Sequence, residues 1–150
     1  MTQFATTRSV GHGATDMFDL VADIEAYPQF VPMCTGMVIR ERRTEGDREV
    51  IVARMTVSYG FLRESFMSRV VLDRADLSIV ATSTDAPFRK LENSWRFEPE
   101  GADRCLVRFG IAYEFRSRTL GILLGAMFER VFRKFTDAFE ARADRIYGKS

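Results

Sequence analysis

The sequence predicts an α+β fold. Apolar residues recur every three to four positions over residues 17–24 and again over residues 119–147, as amphipathic helices require. Between these segments, over residues 37–116, apolar and polar residues alternate with a period of two, which is typical of half-buried strands. The chain therefore runs from a short helical region through a series of strands to a long final helix.

The N-terminal segment predicts one strand followed by one or two short helices. Residues 4–10 alternate weakly and end at a glycine-rich turn, which points to a short first strand. The apolar residues from Met17 to Ile24 share a helical face and predict a short amphipathic helix. Pro28 and Pro32 prevent a long helix after it, so a helical turn or an irregular loop is expected there.

Six further strands are expected, each separated from the next by a short turn rich in glycine, aspartate or proline. This spacing favours consecutive antiparallel pairing. One face of each strand is apolar and the other is charged, so we expect the sheet to be covered on one side only. The predicted strands span residues 37–43, 49–59, 62–72, 77–83, 90–97 and 105–116.

The final helix supplies the cover for the apolar face of the sheet. Residues 119–147 contain no proline, and their apolar residues form one broad face, as in Leu120, Leu124, Met127 and Val131. A curved antiparallel sheet of about seven strands wrapped around one long C-terminal helix is the helix-grip arrangement. We expect residues 1–150 to form a single domain, since this length suffices for one sizeable core.

Composition excludes several classes of protein. The chain is 46% hydrophobic and 29% charged, with a net charge of +1, so it shows no electrostatic footprint for nucleic acid and no DNA partner is expected. Two cysteines do not make a disulfide framework. No secretion signal and no apolar run of membrane-spanning length are found. We therefore expect a cytoplasmic protein, with contact at the inner membrane left open.

A cavity is expected because one helix does not fill the concave face of a six- or seven-stranded sheet. A solid core made by the same side chains is an equally good interpretation of the pattern alone. The glycines Gly121 and Gly125 weaken the final helix and favour a close approach or local mobility. The charge-free residues 120–128 are expected to form the pocket wall and a gate. The candidate ligand-binding residues are Met55, Val57, Phe66, Val70, Asn93, Trp95, Phe97, Phe109, Ile111, Tyr113, Leu120, Leu123, Leu124, Met127 and Phe128.

Catalytic and metal-binding patterns are absent from the sequence. His12 is the single histidine; it lies in a glycine-rich turn, and we expect it to be exposed to solvent. With one histidine and two distant cysteines there is no metal-ligand spacing, and no phosphate-binding glycine loop occurs. Asn93 lies on the inward face, where a buried amide needs a partner, either a protein group or a polar ligand atom. Glu64 is either a polar group at the pocket mouth or a solvated hairpin end.

Several separated motifs, taken together, resemble the coenzyme Q-binding START-domain family, within the wider polyketide cyclase and lipid-transfer superfamily. The resemblance spans nearly the whole chain in the order of the family. Met33 and Ala86 depart from it, because that family commonly has Trp and Gly there. The motifs are Tyr27-Pro-Gln-Phe-Val-Pro-Met-Cys34, Met55-Thr-Val-Ser-Tyr-Gly-Phe61, Glu64-Ser-Phe-Met-Ser-Arg-Val-Val71, Pro87-Phe88, Leu91-Glu-Asn-Ser-Trp-Arg-Phe97, Phe115-Arg-Ser-Arg118 and Ala138-Phe-Glu-Ala-Arg-Ala143.

The resemblance implies a START/Bet v 1-like fold whose hydrophobic cavity holds ubiquinone or a similar polyprenyl lipid, without catalysis, in support of respiration and quinone biosynthesis. Bacterial members are also described as a toxin that blocks association of the ribosomal subunits. For that alternative, Arg40, Arg42, Arg43 and Arg48 would form the basic patch, although neighbouring carboxylates nearly cancel its charge. A polyketide cyclase-type enzyme is a third alternative, and it would need inward acid–base groups.

Delivery of a prenyl lipid requires contact with a bilayer. The charge-free helix segment holding Leu120, Ile122, Leu123 and Leu124 is the candidate for that contact. Arg116 and Arg118 lie beside it and are expected to pair with lipid phosphates.

Overall fold

The structure, a computed structural model, describes residues 2–60 and 62–148. A first strand is followed by a short α-helix and a 3₁₀ helix, then by six strands and two helices. The elements are β1 (Thr2–Val10), α1 (Ala14–Ala22), the 3₁₀ helix (Ile24–Gln29), β2 (Cys34–Glu45), β3 (Arg48–Tyr59), β4 (Leu62–Asp73), β5 (Ser78–Ser83), β6 (Phe88–Pro99), β7 (Cys105–Phe115), α2 (Arg118–Arg133) and α3 (Phe135–Tyr147).

The seven strands form one antiparallel sheet in the order β1-β7-β6-β5-β4-β3-β2. Strands β2 to β7 pair consecutively through hairpins, as predicted, and β1 pairs with β7 at the far edge. Register shifts occur in β2, between Cys34 and Gly36 and again between Ile39 and Glu41. Such shifts bend and twist a strand, which contributes to the curvature of this sheet. The α+β helix-grip architecture predicted from the sequence is confirmed.

The first helix begins without a side-chain cap, because Gly13 occupies the N-cap position. A Cβ atom at Gly13 would lie 2.7 Å from the carbonyl oxygen of Ala102, so only glycine allows the β6–β7 turn to approach this closely. Helix α1 ends at Ala22, and the 3₁₀ helix that follows contains Pro28. The prediction of short helical elements limited by proline is therefore correct.

The final helix is not continuous, and this corrects the prediction of a single helix over residues 119–147. Lys134 separates α2 from α3, and its backbone N–H donates to the Val131 carbonyl at 3.0 Å, three residues back instead of four. Both helices pack on the concave face of the sheet. The Phe128 ring of α2 lies 5.4 Å from that of Phe88, and the Phe139 ring of α3 lies 4.9 Å from that of Trp95.

The hydrophobic core lies between the concave face of the sheet and the helices. Its buried residues come from every strand and helix, and its centre is rich in aromatic rings in edge-to-face contact, such as Phe66 with Phe88 and Trp95 with Phe109. Outward positions of the central strands, among them Arg54, Arg69 and Arg96, are exposed. The sheet is thus covered on one face, as the alternation predicted.

Candidate functional site

An apolar cavity of about 80 Å³ lies between the concave face of the sheet and the junction of α2 with α3. Eight of the candidate residues predicted from the sequence line it. They are Met55, Val57, Phe66, Val70, Asn93, Trp95, Ile111 and Phe128.

The other seven candidates do not lie on the cavity wall. Phe97, Phe109, Tyr113 and Leu124 are buried beside it, in the packed part of the core, while Leu120 and Met127 are partly buried against that core. Leu123 is 62% exposed. The reason lies in the helical period: α2 buries Leu124 and Phe128, and Leu123 lies about 100° away around the helix axis.

Twelve further residues line the cavity and were not among the candidates. Alternation already placed Ala53 and Ser68 on the same faces as Met55 and Val70, so strand parity was a sufficient signal for them. The loop residues Tyr27 and Pro32 follow no periodic pattern, so their position depends on how the chain packs after α1. The twelve are Ile24, Tyr27, Pro32, Met37, Ala53, Ser68, Ile79, Ala81, Leu91, Val131, Phe132 and Phe135.

Asn93 and Trp95 form the principal polar feature of the cavity wall. The Asn93 Nδ2 group donates to the Gly110 carbonyl of the neighbouring strand at 2.9 Å, and the Trp95 Nε1–H donates to Asn93 Oδ1 at 3.0 Å. Of the two partners expected for the Asn93 amide, a protein group or a ligand atom, the structure shows a protein group. An Asn side chain carries two N–H groups, so these bonds hold the amide in one orientation and still leave one N–H for another acceptor.

The remaining polar groups of the wall are neutral. The Tyr27 hydroxyl donates to the Val21 carbonyl, and burial raises the pKa of this phenol, so it stays protonated. Ser68 is the other hydroxyl that lines the cavity. No carboxylate, histidine, lysine, arginine or cysteine lines it within the described ranges 2–60 and 62–148. The site is suited to an uncharged, largely apolar ligand.

Helix α3, which contributes Phe135 to the cavity wall, is held against the rest of the fold by polar contacts. Arg8 of β1 lies 2.6 Å from Asp137 and 3.1 Å from Glu140. His12 Nε2 lies 2.7 Å from Asp144 Oδ1, and His12 is only 6% exposed. The prediction that His12 is solvent-exposed is therefore wrong: folding brings the C-terminal helix over the turn and supplies a carboxylate partner.

Helix α2 has no comparable ion pairs or side-chain hydrogen bonds to the rest of the described chain. Among the residues that the structure describes, its side chains make no hydrogen bond or ion pair to another helix or strand. Its polar contacts are internal, apart from the guanidinium of Arg133, which lies 4.9 Å from the Phe4 ring centroid. The buried residues Leu124, Phe128, Val131 and Phe132 hold α2 on the sheet by apolar packing. The two helices that wall the cavity thus differ in how firmly they are attached.

A larger depression, of about 730 Å³, lies on the outer face of the sheet. It is open and lined by charges that already pair: Arg96 donates to both carboxylate oxygens of Asp76 at 3.0 and 3.1 Å, and Arg48 lies 3.2 Å from Asp73. The hydrogen bonds from Arg96 hold the pKa of Asp76 below its usual value. Because these groups are exposed and satisfied, the apolar cavity is the better candidate site.

Two features are absent from the described part of the chain. No cluster of three or more His, Cys, Asp or Glu side chains there could hold a metal ion. No helix in that part of the chain is both long and apolar enough to cross a bilayer.

Residues 10–140 match the family described as "Polyketide cyclase / dehydrase and lipid transport". The ribosome association toxin RatA of Escherichia coli K12 is 33% identical over 98% of this chain and 90% of its own length. The mitochondrial coenzyme Q-binding protein COQ10 of Dictyostelium discoideum is 27% identical over 96% of this chain and 70% of its own. These relatives bear out the resemblance predicted from the sequence motifs.

Solved structures agree with this result. An 18 kDa protein of Caulobacter crescentus is 38% identical, with a TM-score of 0.78 and 99% of each chain covered. The Zhui aromatase/cyclase of Streptomyces has a TM-score of 0.80 over 99% of each chain at 20% identity, so that similarity concerns the fold alone. The helix-grip fold and the match over residues 10–140 place this chain in the polyketide cyclase/dehydrase and lipid transport family.

Proposed function

We propose that the chain binds ubiquinone or a similar prenyl quinone in the apolar cavity and delivers it without catalysing a reaction. The observation that carries this proposal is the composition of the cavity wall, which is apolar except for two hydroxyls and the Asn93–Trp95 pair. Burial of apolar ligand surface would contribute about 25 cal/mol per Å². The coenzyme Q-binding relative, aligned over 96% of this chain, supports the choice of ligand.

Asn93 is the group best placed to recognise a quinone. Its free N–H would donate to a quinone carbonyl, while its bonds to Gly110 and Trp95 keep the amide oriented before the ligand arrives. A donor held in this way costs little side-chain entropy on binding. Trp95 would lie beside the bound ring and report on its presence through indole fluorescence.

The cavity must enlarge when a ligand enters. A cavity of about 150 Å³ is the size known to admit benzene, whereas this one measures about 80 Å³. Helix α2 is the wall that would move, because it is held by apolar packing, whereas Arg8 and His12 anchor α3. The interruption at Lys134 gives α2 a point about which to pivot.

Binding, and not catalysis, is favoured by the lack of titratable groups on the cavity wall. Within the described residues, Tyr27 is the one ionisable side chain there, and burial keeps it neutral. Acid–base chemistry requires a group whose pKa lies near the working pH. The aromatase/cyclase neighbour shares the fold at 20% identity and carries no argument about activity.

A titration of the purified chain with a short-tailed, soluble ubiquinone tests this proposal. We expect saturable quenching of Trp95 fluorescence, and we expect Asn93→Leu to weaken binding about tenfold, the effect of losing one buried hydrogen bond to a carbonyl. Ser94→Ala is the matched control, because Ser94 neighbours Asn93 but faces the outer depression. Unsaturable quenching, or equal affinity in the Asn93→Leu and Ser94→Ala variants, would count against the proposal.

A second candidate function is binding to the ribosome, which the 33% identity to RatA favours. The hairpin of β2 and β3 carries the four arginines predicted for it, but three of them form ion pairs: Arg42 with Glu49, Arg43 with both Glu41 and Glu45, and Arg48 with Asp73. Arg40 alone among the four has no ion pair among the described residues. Sedimentation of ribosomes with added protein through a sucrose gradient tests this candidate. If the ratio of free subunits to whole ribosomes is unchanged at low salt, ribosome binding is rejected.

We propose that the protein lies in the cytoplasm and makes peripheral contact with the inner membrane, where prenyl lipids reside. Fractionation of the native host, followed by detection of the chain in the soluble and membrane fractions at low and high salt, tests this placement. A chain found only in a secreted fraction would contradict it.

A further inference from the structure

Two large apolar side chains stand exposed at the start of α2. Ile122 is 76% exposed and Leu123 is 62% exposed, although both belong to a helix that walls the core. The opposite side of the same helix buries Leu124 and Phe128. The exposed pair is therefore a feature of the outer face of α2, with no role in packing the core.

The outer face of α2 also carries an excess of positive charge. From Arg118 to the junction residue Lys134 there are four basic residues and one acidic residue, a net charge of +3 in a chain whose total is +1. The acidic residue, Glu129, is paired with Arg133 at 3.1 Å. Arg118, Arg130 and Lys134 are exposed and form no ion pair within residues 2–60 and 62–148.

These residues lie on one side of the helix. At 100° per residue, Arg118, Ile122, Leu123, Ala126 and Arg130 fall within an arc of about 140°. An exposed apolar pair with flanking cations on one helical face is the pattern of a helix that lies in the plane of a membrane interface. Anionic lipid headgroups complement its charge, and acyl chains complement the apolar pair.

Two of the residues expected to serve a membrane contact are excluded by the structure. Leu124 is buried. The Arg116 guanidinium is already used within the fold, since Nε donates to the Phe88 carbonyl at 3.0 Å and Nη2 donates to the Thr84 carbonyl. Of the two arginines expected to pair with lipid phosphates, Arg118 remains free to do so, and Arg130 is a second cation on the same helix that is unpaired among the described residues.

We propose that the outer face of α2 is a docking surface for an anionic lipid bilayer. This inference rests on the proposed function, since it names the compartment from which a prenyl quinone would enter the cavity. Docking would engage α2, whose side chains make no hydrogen bond or ion pair to another helix or strand within residues 2–60 and 62–148. The cavity residues Phe128, Val131 and Phe132 would then move with α2 about Lys134. The bilayer would thus contact the same helix that walls the cavity and moves when a ligand enters.

Sedimentation of the full chain with vesicles tests the docking surface without any quinone. Vesicles of phosphatidylcholine alone are compared with vesicles that also contain phosphatidylglycerol. The test variants are Ile122→Gln/Leu123→Gln and Arg118→Gln/Arg130→Gln. The matched controls are Val38→Gln, which removes an apolar side chain that is 50% exposed on β2, and Arg54→Gln/Arg69→Gln, which removes two exposed cations from the sheet.

We expect the unaltered chain to bind the anionic vesicles. Its affinity for them should be at least tenfold weaker in Ile122→Gln/Leu123→Gln. In Arg118→Gln/Arg130→Gln the affinity should fall about fivefold for each cation removed. The control variants should bind as the unaltered chain does. Equal binding to both kinds of vesicle, equal losses in test and control variants, or no vesicle binding would overturn the proposal. The proposal would also be overturned if the α2 variants lost binding to ribosomes and the unaltered chain did not bind vesicles. Quinone titration without vesicles tests the proposed function separately, so the two failures are distinguishable.

Discussion

Filling the cavity with a larger side chain should weaken ligand binding while leaving the free energy of unfolding nearly unchanged. Ala53 is fully buried on β3, lines the cavity and faces the same side as Met55. Ala53→Leu adds three carbon atoms to the wall, where burial contributes about 0.8 kcal/mol per carbon, or about 2.4 kcal/mol. Filling an 80 Å³ cavity at about 24 cal/mol per Å³ gives a similar value, about 2 kcal/mol.

Overpacking opposes this gain, since extra carbons in a dense core cost about 1–3 kcal/mol. The free energy of unfolding should therefore change by no more than about 1 kcal/mol. A ligand, however, would now have to displace the leucine, so quinone affinity should fall at least tenfold. Urea denaturation measures the first quantity, and quenching of Trp95 fluorescence by a short-tailed ubiquinone measures the second.

Ala112→Leu is the matched control, because Ala112 lies between Ile111 and Tyr113 on β7 and faces the other side of the sheet. This variant should bind quinone as the unaltered chain does. If Ala53→Leu keeps the original affinity while its urea midpoint shows an intact fold, the ligand does not occupy this cavity.

Two further predictions concern the stability of the fold. His12→Ala should lower the free energy of unfolding by about 1–3 kcal/mol, because it leaves Asp144 without its partner in a partly buried place; urea denaturation measures this, and no change would show that the contact contributes nothing. Alkaline pH should also destabilise the protein. Burial raises the pKa of the Cys34 and Cys105 thiols from 9.0 to about 11, and it raises that of the Tyr27 phenol. The unfolded chain therefore loses these protons first, so the urea midpoint should be highest below pH 9 and fall between about pH 9 and 11. A flat profile there would contradict the burial of these groups.

Much of the fold followed from local patterns in the sequence. Strict alternation in β6 placed Leu91, Asn93, Trp95 and Phe97 on one face, and the structure has all four on the concave side. Alternation works here because the period of a strand is two and one face of this sheet is apolar. Because short turns connect the six strands β2 to β7, consecutive antiparallel pairing fixes their order in the sheet. Strand β1 joins them at the edge formed by β7.

The features that local patterns missed depend on contacts between distant residues. His12 is buried because Asp144, 132 positions later, lies over it. The interruption at Lys134 has no proline or glycine to mark it in the sequence. Leu123 looked like a wall residue because the segment carries no charge, whereas the packing of Leu124 turns it to solvent.

Whether the cavity holds a prenyl quinone is tested by what the protein carries in its native host. The chain is purified from that host without detergent, extracted with organic solvent, and the extract is analysed by mass spectrometry beside one from the Ala53→Leu variant. We expect a prenyl quinone in the extract of the unaltered chain and its depletion in that of the variant. No prenyl lipid in the first extract, or equal amounts of quinone in both, would contradict this expectation.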